Sequence, residues 1–201
     1  MHPIKYLIGI DEAGRGPLAG PVSVGAVCIG ADFNTALLEG VRDSKKLSPQ
    51  AREAWFIKLQ EWQNQGLLHF HVSLVSAQII DTKGISCAIK KGIAECLDIF
   101  DVHHDECQIL LDGSLKAPPQ FTHQQTIIKG DDIEPIISIA SIAAKVTRDR
   151  YIVKIAQKYP EYGFEVHKGY GTKAHRDKIK QFGPSKLHRK SFLGNLTFNK
   201  K

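Results

Sequence analysis

Three short apolar runs in this chain finish on carboxylates, and no other feature constrains the fold as tightly. IGIDE (8 to 12) closes on Asp11 and Glu12, CQILLDG (107 to 113) carries Asp112 before Gly113, and QTIIKGDD (125 to 132) reaches Asp131 after Gly130. Brief apolar runs bounded by glycine read as buried strands. A strand that ends on an acidic residue delivers it to the sheet edge, where side chains distant in sequence converge in layered α/β proteins. Taken singly, an aspartate beside a glycine reads as a turn residue. Three in one chain argue for a shared site.

The intervening segments supply the layers. Tyr6 to Asp11, Val22 to Ile29 and the alternating LLHFHVSLV (67 to 75) read as three strands of an antiparallel meander. Ser48 and Pro49 form a helix start, with Ser at the cap and Pro at the first helical position, and Gly66 stops that helix. Residues 84 to 100 put Ile85, Ala88, Ile89, Ile93, Cys96 and Leu97 on one helical stripe. From Pro135 a long helix begins. Its first half is small and apolar and reads as buried, while its second half is basic and reads as leading outward. A loop, a short helix over 173 to 182 and a basic tail complete the chain. The order predicts an α/β fold with a mixed sheet, as one compact domain over 1 to 201 with a C-terminal helical extension from about residue 160.

With 42% hydrophobic residues the chain has material for one sizeable core. The net charge of +6 is unevenly spread: residues 1 to 144 hold 12 Lys and Arg against 17 Asp and Glu, whereas residues 145 to 201 hold 15 against 4. A basic segment on an acidic body is the footprint expected of a polyphosphate partner, foremost nucleic acid. Cys28, Cys87, Cys96 and Cys107 form no C-x-x-C pair, and three of them lie in stretches that read as buried strand or helix, which makes small buried thiols the expected reading. The first residues make no secretory signal and no 18-residue apolar span occurs, which predicts a cytoplasmic protein without a membrane partner.

Crowded carboxylates repel and raise one another's pKa, so a cluster at strand ends is expected to hold a divalent cation. Hard oxygen ligands select Mg²⁺ or Mn²⁺ and leave positions for water and phosphate oxygens. The glycine turn after Glu12 offers backbone amides on the other side, which makes phosphodiester hydrolysis the natural reaction. A nucleotide-cofactor enzyme is disfavoured, because the carboxylates precede GRGPLAG instead of following it by about 20 residues. A non-catalytic nucleic-acid binder remains the alternative. It has no use for aspartates that repel phosphate.

DEAGRGPLAGPV (11 to 22), DSKKLS (43 to 48), LLDG (110 to 113), KGD (129 to 131), ASIAAKVTRDR (140 to 150) and HKGYGT (167 to 172) resemble, in order and spacing, the motifs of bacterial ribonuclease HII. The resemblance runs from about residue 6 to HRKSF at 188 to 192. It implies a ribonuclease H-like fold, a five-stranded mixed sheet flanked by helices. The activity it implies is endonucleolytic hydrolysis of the RNA strand of RNA/DNA hybrids and cutting 5′ to single ribonucleotides embedded in DNA. A two-ion Mg²⁺ or Mn²⁺ site and roles in ribonucleotide excision repair and replication go with it. The ligand set carried over by motif is Asp11, Glu12, Asp112 and Asp131, with Asp132 a solvated neighbour and Asp149 a partner for nearby arginines.

By the same resemblance, Gly14, Arg15 and Gly16 are similar to the element that contacts the ribonucleotide, whose 2′-hydroxyl only a close backbone can read. Tyr170 resembles the tyrosine that stacks on the following deoxyribose, with Gly171 where the family usually has alanine. Ser44, Lys45, Lys46, Lys145, Lys168, Arg189 and Lys190 are expected to touch nucleic acid, and the protein to act as a monomer. His103, His104, Asp105 and Glu106 read as a polar loop, since adjacent residues are not expected to face one ion.

Overall fold

The structure, a computed structural model, describes all residues but 1, 2, 42, 43, 195 and 197 to 201. Asp43 of DSKKLS and most of the tail after Phe192 therefore lie outside the described residues. In chain order the elements are β1 (Tyr6–Ala13), β2 (Val22–Gly30), α1 (Pro49–Asn64), β3 (Leu68–Val75), α2 (Ala77–Lys83) and α3 (Ile85–Phe100). They continue as β4 (Cys107–Asp112), β5 (Gln124–Ile127), α4 (Gly130–Ile133), α5 (Pro135–Ala156), α6 (Phe164–His167) and α7 (Lys173–Phe182). The sheet order is β3-β2-β1-β4-β5. The first three strands are the antiparallel meander, while β4 runs parallel to β1 and β5 parallel to β4, giving the five-stranded mixed sheet.

Alternation along the strands sorts the two faces. Ile8, Ile10, Val24, Ala26, Ile109 and Leu111 pack with α3, whose Ile89, Ile93 and Leu97 are buried there. Each fully buried Val, Leu or Ile side chain there contributes on the order of 2 kcal/mol. The opposite face, with Val27, Ile29 and Leu110, takes α5 and α1. Gly9 and Gly25 let α5 sit directly on the sheet: a Cβ on either would fall 2.5 Å from the Ile136 carbonyl oxygen or 2.4 Å from that of Ala140. The start of α1 is as the sequence predicts, with Ser48 Oγ accepting from the Ala51 amide at 3.1 Å.

Three expectations change. β5 is an edge strand of four partly exposed residues, and Asp131 stands not at its end but in the helical turn α4. Lys129, with φ 58°, reverses the chain between them. The second half of α5 does not lead outward: Ile152 and Ala156 are buried against Leu18, Tyr162, Phe164 and Ile179 because the C-terminal segment folds back over it. The helix α2, capped by Ser76, goes unread in the sequence because two turns are too short to establish a period. Cys28, Cys96 and Cys107 are buried as expected and Cys87 is exposed. Among the described residues no helix is long and apolar enough to cross a membrane.

Candidate active site

Strand parity and register bring the carboxylates together. Ile10 lies opposite Leu111 in the parallel β1/β4 pair, so the next step of the register sets Asp11 beside Asp112. Both project toward α5, since their neighbours at two residues' distance, Gly9 and Leu110, do. Asp131 arrives from α4, its amide 3.4 Å from Asp112 Oδ1. One carboxylate oxygen from each of Asp11, Asp112 and Asp131 then lies within 4.8 Å of the others. Glu12, one residue further along β1, lies outside this 4.8 Å group and projects toward the other face, yet it stays close enough for its charge to act on Asp11 and for that of Asp112 to act on it. Its Oε1 accepts from Arg15 Nη1 at 3.0 Å.

The electrostatics are those of a site built for cations. Asp11 is 2% exposed. Its Oδ1 accepts from the Glu12 amide at 2.7 Å, while Oδ2, like Glu12 Oε2, is buried with no hydrogen-bond partner among the described residues. Burial, then the Glu12 and Asp112 charges, push the Asp11 pKa well above the carboxylate range, against the Ser141 hydroxyl and the Glu12 amide. Burial also raises Glu12, opposed by its hydrogen bond and ion pair with Arg15. The chain's own cations partly answer: Lys45 Nζ lies 3.0 Å from Asp131 Oδ2. Orphaned buried oxygens in an all-oxygen donor set fit Mg²⁺ or Mn²⁺. Removing one charge from the cluster should therefore stabilise the metal-free protein. Asp11→Asn is expected to raise the chelator-treated protein's stability by about 1 kcal/mol, a melting shift of roughly 3 °C. The same variant should lose the further rise that Mg²⁺ or Mn²⁺ gives the wild type, as melting with and without the ion would show.

The loops beside the trio form one unit. Leu18 and Ala19 amides both reach the Gly169 carbonyl, at 2.8 and 3.3 Å, tying the glycine turn to the HKGYGT loop. Gly14 is buried with φ 87°, and a Cβ there would sit 2.1 Å from Arg148 Nε, whereas Gly16 is open. Tyr170 is 41% exposed, flanked by Lys145 Nζ at 5.4 Å and Arg148 Cζ at 5.7 Å from its ring centre.

Beneath Tyr170 run two buried imidazoles. The Ser185 amide donates to His188 Nδ1 at 2.9 Å, which leaves the hydrogen on Nε2 to donate to His175 Nε2 at 3.0 Å. His175 Nδ1 then donates to the Tyr170 carbonyl at 2.9 Å. Burial lowers both pKa values, to about 4 for His175, with His167, which stacks on it, adding to the effect, and to about 3 for His188, with His175 adding to it. Both are neutral at pH 7.

Two expected nucleic-acid contacts, Arg189 and Ser44, are corrected by their burial, and several of the lysines have partners within the chain. Arg189 is fully buried and among the described residues donates only to backbone carbonyls, because the C-terminal segment folds under the glycine turn. Ser44 is buried too, its hydroxyl 2.8 Å from that of Ser141, behind Asp11. Lys145 pairs with Asp149 at 3.0 Å, so Asp149 serves a lysine first and Arg148 only at 3.9 Å. The Lys168 ammonium donates to the Glu165 carbonyl. Lys46 holds Asp132 at 2.6 Å, and the Lys190 amide donates to Asp81 at 2.9 Å, away from the trio. Asp132 is exposed and lies outside the trio. One atom each of His103, His104 and Asp105 does come within 4.8 Å, since the short 3-10 turn over His104–Glu106 folds adjacent side chains together. Arg148, His175, His188 and Ser141 were missed. Arg148 alone left a sequence signal, an arginine at four-residue spacing with the buried Ala144, Ile152 and Ala156.

A mixed sheet with antiparallel and parallel halves, carrying acidic residues on adjacent strand ends, defines the ribonuclease H-like class of proteins. The comparisons agree. The Ribonuclease HII family profile matches residues 8–195. A Ribonuclease HII from Caldicellulosiruptor bescii is 44% identical over 192 residues, 96% of this chain and 88% of that protein. The crystal structure of ribonuclease H2 from Pyrococcus horikoshii OT3 superposes with a TM-score of 0.72 at 31% identity, over 92% of this chain and 93% of that one. Bst-RNase HIII in complex with Mn²⁺ shares the fold, with a TM-score of 0.66 at 18% identity over 94% of this chain and 68% of that one. The chain belongs to the ribonuclease HII family and is accordingly an enzyme, a nuclease of the ribonuclease H type.

Proposed function

We propose that the chain hydrolyses the RNA strand of RNA/DNA duplexes and cuts on the 5′ side of single ribonucleotides embedded in DNA, leaving 5′-phosphate and 3′-hydroxyl ends. The observation that carries this reading is the Asp11, Asp112 and Asp131 trio, with its orphaned buried oxygen, beside a glycine turn exposed at Arg15 and Gly16. Asp11, Glu12, Asp112 and Asp131 would hold two divalent ions, Mg²⁺ or Mn²⁺. Bound there, such ions lower the pKa of an attacking water and stabilise charge on the scissile phosphate and leaving oxygen.

The chain's own residues bind and orient. Arg15 and Gly16 face the ribonucleotide, where a close backbone reads the 2′-hydroxyl. Tyr170, half-exposed over Lys145 and Arg148, stacks on the next sugar and leaves no room for a second hydroxyl. Lys45 and Lys46 line the acidic edge, where exposed ammonium groups steer phosphate. The basic segment from about residue 160 belongs to the same catalytic unit, its HKGYGT loop being hydrogen-bonded to the glycine turn through the Gly169 carbonyl. Tyr170→Ala is expected to slow cutting at a lone ribonucleotide by about tenfold or more, beyond the loss from any one lysine. Equal losses in side-by-side single-turnover assays would make the tyrosine merely structural.

The test of the whole reading uses end-labelled all-DNA, single-ribonucleotide and hybrid duplexes with Mg²⁺, Mn²⁺ or chelator. Metal-dependent cutting 5′ to the ribonucleotide supports it. Tight, salt-sensitive binding without cutting would favour the non-catalytic binder instead.

A further inference from the structure

Two arginines are buried under the glycine turn, and neither acts as a surface cation. Arg189 is fully buried; its Nε donates to the Gly20 carbonyl at 2.9 Å, Nη1 to Arg15 at 2.8 Å and Nη2 to Gly14 at 2.7 Å. Arg148, also fully buried, donates from Nε to Pro21 at 2.9 Å, from Nη2 to Ala19 at 3.2 Å and from Nη1 to Lys168 at 3.1 Å. Thus five carbonyls of the segment 14 to 21 turn inward onto two guanidiniums. The sixth belongs to the loop that carries Tyr170.

Burying two cations side by side is costly, and their charge is scarcely balanced. Arg148 has Asp149 at 3.9 Å, and among the described residues Arg189 makes no ion pair. Burial and the Arg148 charge lower the Arg189 pKa to about 9, so it stays charged at neutral pH. Apolar side chains would fill the same volume at less cost, so what the guanidiniums add is directional: fork-shaped donors that fix carbonyl orientation.

That orientation has a consequence across each peptide plane. The described residues contain no cis peptide, so N–H and C=O of one unit point oppositely. With the Gly14 and Arg15 carbonyls drawn inward, the Arg15 and Gly16 amides point outward, at two residues that are exposed. Arg148 occupies the space a Gly14 side chain would need, 2.1 Å from the Cβ position, so loop and guanidinium fit each other closely.

We propose that Arg189, together with Arg148, is a positioning residue for substrate discrimination: it touches no nucleic acid but holds the 14 to 21 backbone so that the Arg15 and Gly16 amides face the ribonucleotide. This rests on the ribonuclease reading above. A direct phosphate ligand and a positioning residue differ in one measurable way. Loss of a phosphate contact lowers the salt slope of duplex binding by about one, whereas loss of a buried prop leaves it unchanged.

The experiment uses the full-length protein and Arg189→Lys, which keeps the charge and loses the fork. Binding of the single-ribonucleotide duplex is measured against salt in chelator, and single-turnover cutting of that duplex and of the hybrid is measured with Mn²⁺. Expected are an unchanged salt slope and a loss of about 10²-fold at the lone ribonucleotide, with the hybrid much less affected. A slope reduced by about one, or a preference between the two duplexes that stays within twofold of wild type, overturns the proposal. A second measurement on ¹⁵N-labelled wild type, titrated with the same duplex in chelator, needs no variant to fold. Shifts of the Arg15 and Gly16 amides with an unmoved Arg189 Nε–H support the role, and the reverse pattern overturns it. Wild type that cut neither duplex would sink the nuclease reading, and the titration would still decide how Arg189 acts.

Discussion

Asp112→Asn is expected to reduce cleavage by at least about 10³-fold while duplex binding stays intact or tightens, with no drop in melting temperature. The magnitude follows from where the residue stands. Asp112 is half-buried at the end of β4, in register with Asp11 and facing the Asp131 amide, so it contributes an oxygen to both sides of the trio. An amide retains the shape and one oxygen but loses the charge that holds a hard divalent ion, and electrostatic stabilisation of the transition state is commonly the largest catalytic contribution. Binding responds in the opposite sense, because a negative charge beside the phosphate is removed. Single-turnover cutting and a chelator binding isotherm on one preparation separate the two effects. A variant that still cut within tenfold of wild type would remove Asp112 from the metal site.

Acid should loosen the Tyr170 loop. His175 and His188 have native pKa values of about 4 and about 3, below the ordinary 6.5, so between those values the unfolded chain binds more protons than the folded one. Their contribution to stability is therefore complete above pH 6.5 and is lost as pH falls through 4 toward 3. The structural cause is direct: a proton added to His175 sets two N–H donors against each other across 3.0 Å, and one added to His188 goes to Nδ1, where the Ser185 amide already donates at 2.9 Å. Because the two rings share that contact, their effects do not add, and a combined loss of about 3 kcal/mol is expected. Melting temperature measured from pH 7.5 to 3.5 should fall more steeply for wild type than for His188→Gln. Parallel curves would show that the pair carries no acid sensitivity of its own.

Much of the fold and part of the site were legible in the chain. Ser48 with Pro49, the alternation in LLHFHVSLV and the stripe over Ile89, Ile93 and Leu97 are patterns formed by residues within a few positions of each other, and each became the element it predicted. Runs closing on Asp11 and Asp112 placed two acids at strand ends for the same reason. Asp131 was legible as an acid but not as a helical turn, because nothing local announces the left-handed Lys129 that brings it round.

Charge was the least legible property. A basic C-terminal quarter reads as a surface for phosphate, yet Arg148 and Arg189 are its two most deeply buried cations, while exposed Lys46 is engaged by Asp132 and Lys145 by Asp149. Whether an arginine meets water or carbonyls depends on what folds over it. Here the partners are remote: Arg148 reaches Pro21 across 127 residues, and Arg189 reaches Gly14 across 175.

By itself, then, the sequence determined the layers, the helix caps and the acidic chemistry, because periodicity, capping and side-chain type are local properties. Only the tertiary structure decided that Asp11, Asp112 and Asp131 share a face while Glu12 turns to the other, and that two basic residues became the inner frame of a loop. Both outcomes follow from strand register and chain reversal, which arise only when segments far apart in sequence pack against one another.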